Sequence, residues 1–293
     1  MTDLTGSRRT TAPAVSAAKG SDTPLVMVTA YDAPSARAVD AAGVDMILVG
    51  DSVAMVVLGY DDTLQVTTAD MAHHVGAVAR TRPDALVVAD LPWMSYHLGP
   101  DDAVRNAATL VRAGAGAVKL EGGRKRLAAV GAILDAEVPV MGHLGLTPQS
   151  FHALGGFRVQ GRDLDAARAI VDDAIALAEA GCFALVLECV PDAVARLVTD
   201  SVEVPTIGIG AGRHCDGQVL VFHDLVGLET RVTPKFVRRY ADLAGDATAA
   251  VASFAADVRA SRFPSSDETY HAADGVADAL RLYGGSPAEH APA

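Results

Sequence analysis

From Leu25 onward the chain alternates short β-branched runs with helical patterns, and it does so eight times. The runs are VMVTAYD, MILVGDS, ALVVADLP, AVKLEGG, VPVMGHLG, ALVLECVP, PTIGIGAG and QVLVFHDLVG. Between them lie segments such as PSARAVDAAG, TADMAHHVGAVAR, DDAVRNAATLVRAG, RLAAVGAILDAE and LDAARAIVDDAIALAEAG, several closing on Ala-Gly or Gly. Strand, helix, strand in this order builds a parallel sheet, because each crossover helix returns the chain to the same end. The runs are apolar almost throughout, as strands covered on both faces must be. Eight such repeats in 293 residues fit a closed (β/α)8 TIM barrel better than an open doubly wound sheet. No GxGxxG follows the first run, which weighs against a dinucleotide-binding fold.

This pattern sets the expected domains. Residues 1–22 are small, polar and aperiodic and read as a flexible tail. Residues 23–264 form a single barrel domain, with a helical stretch from about Pro234 to Val258, and residues 265–293 form a peripheral tail. Two connections are long, LGYDDTLQVT after the second run and LTPQSFHALGGFRVQGRD after the fifth, and read as lids or substrate walls. A net charge of −12 argues against nucleic acid and anionic membranes as partners, since both need basic patches. No apolar run approaches the roughly 20 residues that span a bilayer, and no signal-peptide core is present, so a cytoplasmic protein is expected. Cys182, Cys189 and Cys215 lack metal-site or CxxC spacing and read as reduced core thiols. Basic residues are nearly all arginine and aspartate outnumbers glutamate, a composition that suits a salt-rich cytoplasm.

The chemistry is expected where the runs end. Six of them stay apolar until a polar residue appears at or just past the C-terminal end: Asp32, Asp51, Asp90, Glu121, His143 and Glu188. In a barrel these ends converge on one mouth, where barrel enzymes keep their active sites. Asp32 precedes a helix directly, so a helix cap is an equal reading for it. In AVKLEGG, Lys119 and Glu121 lie two apart and so face the same way, and two buried charges need partners or a ligand. Asp51, Asp90 and Glu121 come from consecutive strands, and three crowded carboxylates repel unless a cation joins them. An all-oxygen set with few protein ligands suits Mg²⁺, and Lys119 beside it would hold an anionic oxygen. Glu188 reads as metal ligand, structural acceptor or general base. His143 reads as a substrate-orienting or proton-relaying residue, or as a hydrogen-bonded core histidine. His73-His74 reads as a surface or packing pair, and the glycines of IGIGAG as a place where a ligand comes close.

Taken together and in order, TAYD, LVGDS, VVADLP, VKLEGG, GHLGLTPQS, GGFRVQG, LVLECVP and IGIGAG…CDGQVLV resemble the ketopantoate hydroxymethyltransferase family over about residues 24–264. The resemblance implies a (β/α)8 barrel of the phosphoenolpyruvate/pyruvate superfamily type, a homo-oligomer, commonly a decamer, and Mg²⁺. It also implies transfer of a hydroxymethyl group from 5,10-methylenetetrahydrofolate, or a related pterin, to 3-methyl-2-oxobutanoate. The product is 2-dehydropantoate, on the way to pantothenate and coenzyme A. Carried onto the matching motifs, Asp51 and Asp90 bind metal and substrate, and Glu121 is the third metal-associated acid. Ser52 and Lys119 bind substrate, and Glu188 is the catalytic base. Two departures stand out: Gln65 where the family usually has proline before VT, and SSDETYHAADG in place of the usual family ending. Two other readings compete. A Mg²⁺-dependent carbon–carbon lyase of the same superfamily would need a cysteine in a mobile loop, whereas the cysteines here sit in or near strands. A non-catalytic binding barrel would show gaps in the polar constellation, and there are none.

Overall fold

In the computed structural model, which describes residues 9–231, 234–273 and 275–281, eight parallel strands close into a barrel in sequence order. They are β1 (Leu25–Thr29), β2 (Met46–Val49), β3 (Leu86–Asp90), β4 (Ala117–Glu121), β5 (Val140–Gly145), β6 (Ala184–Glu188), β7 (Thr206–Ile209) and β8 (Gly217–Leu220). Leu25 pairs with Gly217 and Val28 with Leu220, so β1 meets β8 and no sheet edge remains. The helices are α1 (Ala12–Ser16), α2 (Ala33–Ala41), α3 (Val53–Val56), α4 (Thr68–Ala79), α5 (Pro100–Ala113) and α6 (Leu127–Asp135). They continue with α7 (Phe151–Leu154), α8 (Leu164–Glu179), α9 (Asp192–Ser201), α10 (Phe222–Leu225), α11 (Leu243–Arg259) and α12 (Val276–Arg281). The expected barrel is what forms, thinning after β7, where residues 210–216 reach β8 with no helix.

Alternation along the strands sorts the apolar side chains into two cores. Met27, Met46, Leu48, Val88, Ala117, Met141, Val186 and Val219 pack together inside the barrel. Their neighbours Val28, Ile47, Val87, Val118, Leu120 and Leu185 pack outward against Met71 and Val75 of α4, Leu110 of α5 and Leu177 of α8. Each such side chain removed from water contributes roughly 1.5–3 kcal/mol, which is what closes the barrel and wraps it in helices.

Three expectations are corrected. Residues 10–20 are held in place rather than loose, since Ala12 and Val15 of α1 pack into the core inside the barrel and Lys19 bonds Asp216 and the Thr199 carbonyl. The last long helix starts at Leu243, not near Pro234, because the Asp242 carboxylate caps it by accepting the Gly245 N–H at 3.2 Å. The chain divides into two compact units, Met1–Ala241 and Asp242–Ala293, so the barrel unit ends before residue 264. Parts of both expected tails, residues 1–8 and 282–293, lie outside the described residues.

Candidate active site

The parity that fills the barrel interior also aims the strand ends. Val88, Ala117, Met141 and Val186 face inward, so Asp90, Lys119, Glu121, His143 and Glu188, each an even step further along, face inward too. Register steps them up the mouth: Asp90 pairs with Lys119, Glu121 with His143, and Glu188 lies two residues past Val186, the partner of His143. Lys119 Nζ lies 2.8 Å from Asp90 Oδ1 and 3.2 Å from His143 Nδ1. His143 Nδ1 is 3.5 Å from Glu121 Oε1, and its Nε2 is 3.3 Å from Glu188 Oε2. Asp51 follows β2, and its N–H donates to Asp90 Oδ2 at 3.1 Å. Ser52 comes next, with its hydroxyl 2.8 Å from that of Tyr31. Gly50 permits this turn, because a Cβ there would stand 2.8 Å from Ser52 Oγ. Asp51, Asp90, Lys119, Glu121 and His143 are each at most 4% exposed, far drier than ionisable groups usually are.

Burial on this scale makes every charge depend on its neighbours. Burial, then Asp90 and Glu121, hold the Asp51 carboxyl well above the usual carboxylate range. Burial disfavours the Lys119 ammonium, but Asp90, Glu121 and Asp51 outweigh it and raise its pKa. For His143, burial and Lys119 push the imidazole down while Glu121 and Glu188 lift it to about 9. The Lys119 contact constrains the ring differently: a ring protonated on both nitrogens would set two cations 3.2 Å apart. With Lys119 charged, we therefore assign His143 the neutral form, Nδ1 accepting from Lys119 and Nε2–H turned to Glu188.

Two buried atoms keep unspent capacity. Asp90 Oδ1 and His143 Nε2 have charged neighbours at 2.8 and 3.3 Å but no aligned hydrogen bond. An orphaned carboxylate oxygen beside a second crowded carboxylate suits a hard divalent cation. Among the described residues no three acidic, imidazole or thiol side chains converge into a closed ligand set. The fit is therefore to an ion that takes one or two protein carboxylates and fills its shell with substrate and water, which is the habit of Mg²⁺. Glu121 has both oxygens turned to protein, Oε1 toward His143 and Oε2 on the Gln149 N–H at 3.0 Å. Its contribution to such a site is charge more than direct ligation.

A cavity of about 620 Å³ opens over the strand ends. It is lined by Asp51, Ser52, Asp90, Lys119, Glu121, His143 and Glu188, so these seven lie on one surface and, of the strand-end residues, Asp32 alone does not. Both long connections contribute walls as expected, Asp61 and Thr63 from one, Pro148 and Phe157 to Val159 from the other. Gln65 is exposed and takes no part in that wall. Asp32 is a cap: its carboxylate accepts the Ser35 N–H at 2.8 Å at the start of α2. His74 is a packing residue bonded to the Tyr31 carbonyl, and His73 is exposed. The IGIGAG glycines admit protein, not ligand, for a Cβ on Gly210 would meet the Phe236 ring at 2.8 Å and one on Gly212 would meet Asp192 at 2.6 Å. Cys182 and Cys215 are buried thiols, but Cys189 lines the cavity. The sequence reading missed Tyr31, Tyr96 and Gln149, whose hydroxyl or amide groups bond site residues. Two of them stood in segments that carry the family resemblance, Tyr31 in TAYD and Gln149 in GHLGLTPQS, while Tyr96 stood in none.

The geometry has close counterparts in sequence. A model of the family described as ketopantoate hydroxymethyltransferase matches residues 9–266. The chain belongs to the ketopantoate hydroxymethyltransferase family. Among its relatives, a 3-methyl-2-oxobutanoate hydroxymethyltransferase of Pyrobaculum calidifontis is 58% identical over 85% of this chain and 93% of the relative. One of the same name from Nitratidesulfovibrio vulgaris is 56% identical over 87% and 84%. The fold reaches further than the sequence. A phosphonopyruvate hydrolase solved in complex with oxalate and Mg²⁺ superposes with a TM-score of 0.58 at 16% identity, over 93% of this chain and 94% of that one. A 2,3-dimethylmalate lyase, described as a PEP mutase/isocitrate lyase superfamily member, gives 0.55 at 18% identity over 93% and 97%. Ketopantoate hydroxymethyltransferases and these enzymes thus share the barrel, and at such identities the likeness speaks for fold alone.

Proposed function

We infer that this chain is a 3-methyl-2-oxobutanoate hydroxymethyltransferase, using 5,10-methylenetetrahydrofolate or a related pterin as donor and Mg²⁺ as its metal. The observation that carries the reading is the inward-facing set of Asp90, Lys119, Glu121, His143 and Glu188, linked by contacts of 2.8 to 3.5 Å over one cavity in a member of this family. Asp51 and Asp90 would hold the metal, with Glu121 adding charge beside them. When bound, Mg²⁺ supplies polarisation of the 2-oxo group and a counter-charge for the crowded carboxylates.

The chain's own residues do the rest. Lys119 meets an oxygen of the acid as a fixed cation, and Ser52, backed by Tyr31, offers a hydroxyl beside it. Glu188 takes the proton from C3 of the keto acid, and His143 Nε2–H orients that carboxylate from 3.3 Å. The carbanionic C3 then bonds to the methylene carbon as one of its two bonds to pterin nitrogen breaks. Water displaces the other nitrogen, its oxygen becoming the new hydroxyl of 2-dehydropantoate, while the proton held by Glu188 and one from the water go to the two nitrogens of the reduced pterin. The same reading makes the protein a cytoplasmic homo-oligomer, a decamer as is common in its family; among the described residues no helix is long and apolar enough to cross a membrane.

The test is NMR of 3-methyl-2-oxobutanoate in D₂O with protein and Mg²⁺ but no pterin, for wild type and Glu188→Gln. The expected result is metal-dependent loss of the C3 proton signal in wild type and none in the variant. Exchange that persists in Glu188→Gln would move the base elsewhere. No exchange in wild type, even after methylenetetrahydrofolate is added, would remove the substrate assignment.

A further inference from the structure

Lys119 offsets part of the repulsion among the carboxylates through Asp90, and the orientation of the other two is set by neutral donors. We propose that Gln149 is the residue that positions Asp51 and Glu121, and that Tyr96 locks Gln149 in place. The proposal rests on the reading above that Asp51 holds a divalent cation and Glu121 adds charge beside it.

Gln149 lies in the single turn Pro148–Ser150 after β5 and is 6% exposed. Its side-chain NH₂ donates to Asp51 Oδ2 at 2.8 Å and to the Leu91 carbonyl at 2.9 Å. Its backbone N–H donates to Glu121 Oε2 at 3.0 Å. Its side-chain carbonyl accepts the Tyr96 hydroxyl at 2.6 Å, and the Tyr96 oxygen accepts the Glu121 N–H at 3.2 Å. A primary amide offers two donor hydrogens and one carbonyl, and here both hydrogens and the carbonyl are engaged. The flipped amide would set its carbonyl against Asp51 and waste the Tyr96 donor, so one orientation alone satisfies the network. Tyr96 is itself clamped, with the Arg126 guanidinium 5.3 Å from its ring centre.

These five bonds, four of them made by one loop residue, tie together the residues just past β2, just past β3 and at the end of β4. They engage Asp51 Oδ2 and so leave Oδ1 as the oxygen for a cation. A methionine at 149 would keep the volume and lose every side-chain bond. A glutamate would bring another carboxylate against Asp51, and an asparagine would fall short by a methylene. The same connection is held at its far end, where the Gln160 N–H donates to the Cys189 carbonyl at 2.9 Å, next to Glu188. The connection that walls the cavity is thus fastened at one end to the acids and at the other to the strand of the base.

The experiment measures Mn²⁺ affinity of the full-length protein by electron paramagnetic resonance, without substrate, for wild type, Gln149→Met and Tyr96→Phe. Steady-state kcat and KM for the keto acid and melting curves accompany it. Residues that orient metal ligands typically change affinity about 10- to 100-fold when lost. Gln149→Met is expected to weaken Mn²⁺ by that factor and to raise KM. Tyr96→Phe, which removes one hydroxyl, should weaken Mn²⁺ about 3- to 10-fold, the size of one hydrogen bond. A purely structural role would lower the melting temperature and leave both Mn²⁺ affinity and KM in place. Wild-type Mn²⁺ affinity in folded Gln149→Met overturns the proposal. If that variant does not fold, wild-type affinity in Tyr96→Phe overturns it instead. Wild-type protein that binds no Mn²⁺ would sink the cation reading of the site itself, and the role of Gln149 with it.

Discussion

Lys119 is the residue on which the charge balance of the site turns. Buried with Asp90 at 2.8 Å, it offsets part of the repulsion among Asp51, Asp90 and Glu121. Removing one member of a buried pair leaves the other uncompensated, which typically costs about 3–5 kcal/mol. Lys119→Met should therefore lower the urea midpoint markedly, while a midpoint within error of wild type would mean water already reaches these carboxylates. Asp224 on the cavity wall tests electrostatics of the opposite sign. Burial and then Glu229 raise its carboxyl to about 6, with Arg239 opposing. The native state thus binds the proton more tightly than the unfolded chain. The associated stability is present below pH 4 and lost as pH rises to about 6. Asp224→Asn should then melt above wild type at pH 7.5, by on the order of 1–2 kcal/mol after solvent screening, and level with it near pH 4. A gap that stays constant across that range would rule out titration as its cause. At this scale the sequence was uneven. Lys119 could be read because strand parity needs only its neighbours, whereas Gln149 meets Asp51 across 98 residues, and nothing local to either announces the contact.

At the scale of elements, the N-terminal segment shows why short pieces escape sequence patterns. α1 has five residues, too few for a helical period to register, and its stability comes from what it covers. Thr11 caps it, accepting the Ala14 N–H at 3.3 Å, and Val15 is 1% exposed among residues of the barrel interior. Truncating Val15 to alanine should cost about 1–3 kcal/mol. The check is amide hydrogen exchange: protection over residues 12–20 should fall in Val15→Ala before that of β4 or β5 changes. Uniform loss across the barrel would instead make α1 part of one cooperative core. Lys19 and Asp216 fasten the same segment at 3.0 Å, and the Asp216 carboxyl lies below its usual range despite burial, through the Thr206 N–H and Lys19. That contribution holds at neutral pH and fades only as pH falls below the ordinary aspartate range. The strands were legible because each buries an apolar run, and caps such as Asp32 and Asp242 sit where polar residues precede helices. The start of α11 was misplaced because Pro234 also suits a first helical turn, and Asp242 competes from further along.

The whole molecule carries a net charge of −12, and two effects of salt on it can be separated. The surface charges repel through solvent, so NaCl should stabilise wild type and any site variant alike, by shortening the range of that repulsion to roughly 10 Å at 0.1 M and less above. The carboxylates under the cavity are buried beyond the reach of such screening, and an ion helps them only by binding. Eight repeats made the barrel and its mouth legible, and with them these acids. The volume above them was not legible, because loop residues such as Phe157 and Phe236 wall it and their placement has no periodic signature. The two effects are told apart by melting wild type and Asp90→Asn in NaCl and in MgCl₂ at matched ionic strength. Ligand at 100 times its Kd adds about 2.7 kcal/mol to the native state, or roughly 4–5 °C for a protein of this size. Mg²⁺ should raise the wild-type Tm by that amount beyond NaCl and leave Asp90→Asn where NaCl put it. If both proteins respond equally to the two salts, the carboxylates do not hold a cation, and Lys119 alone must then balance them.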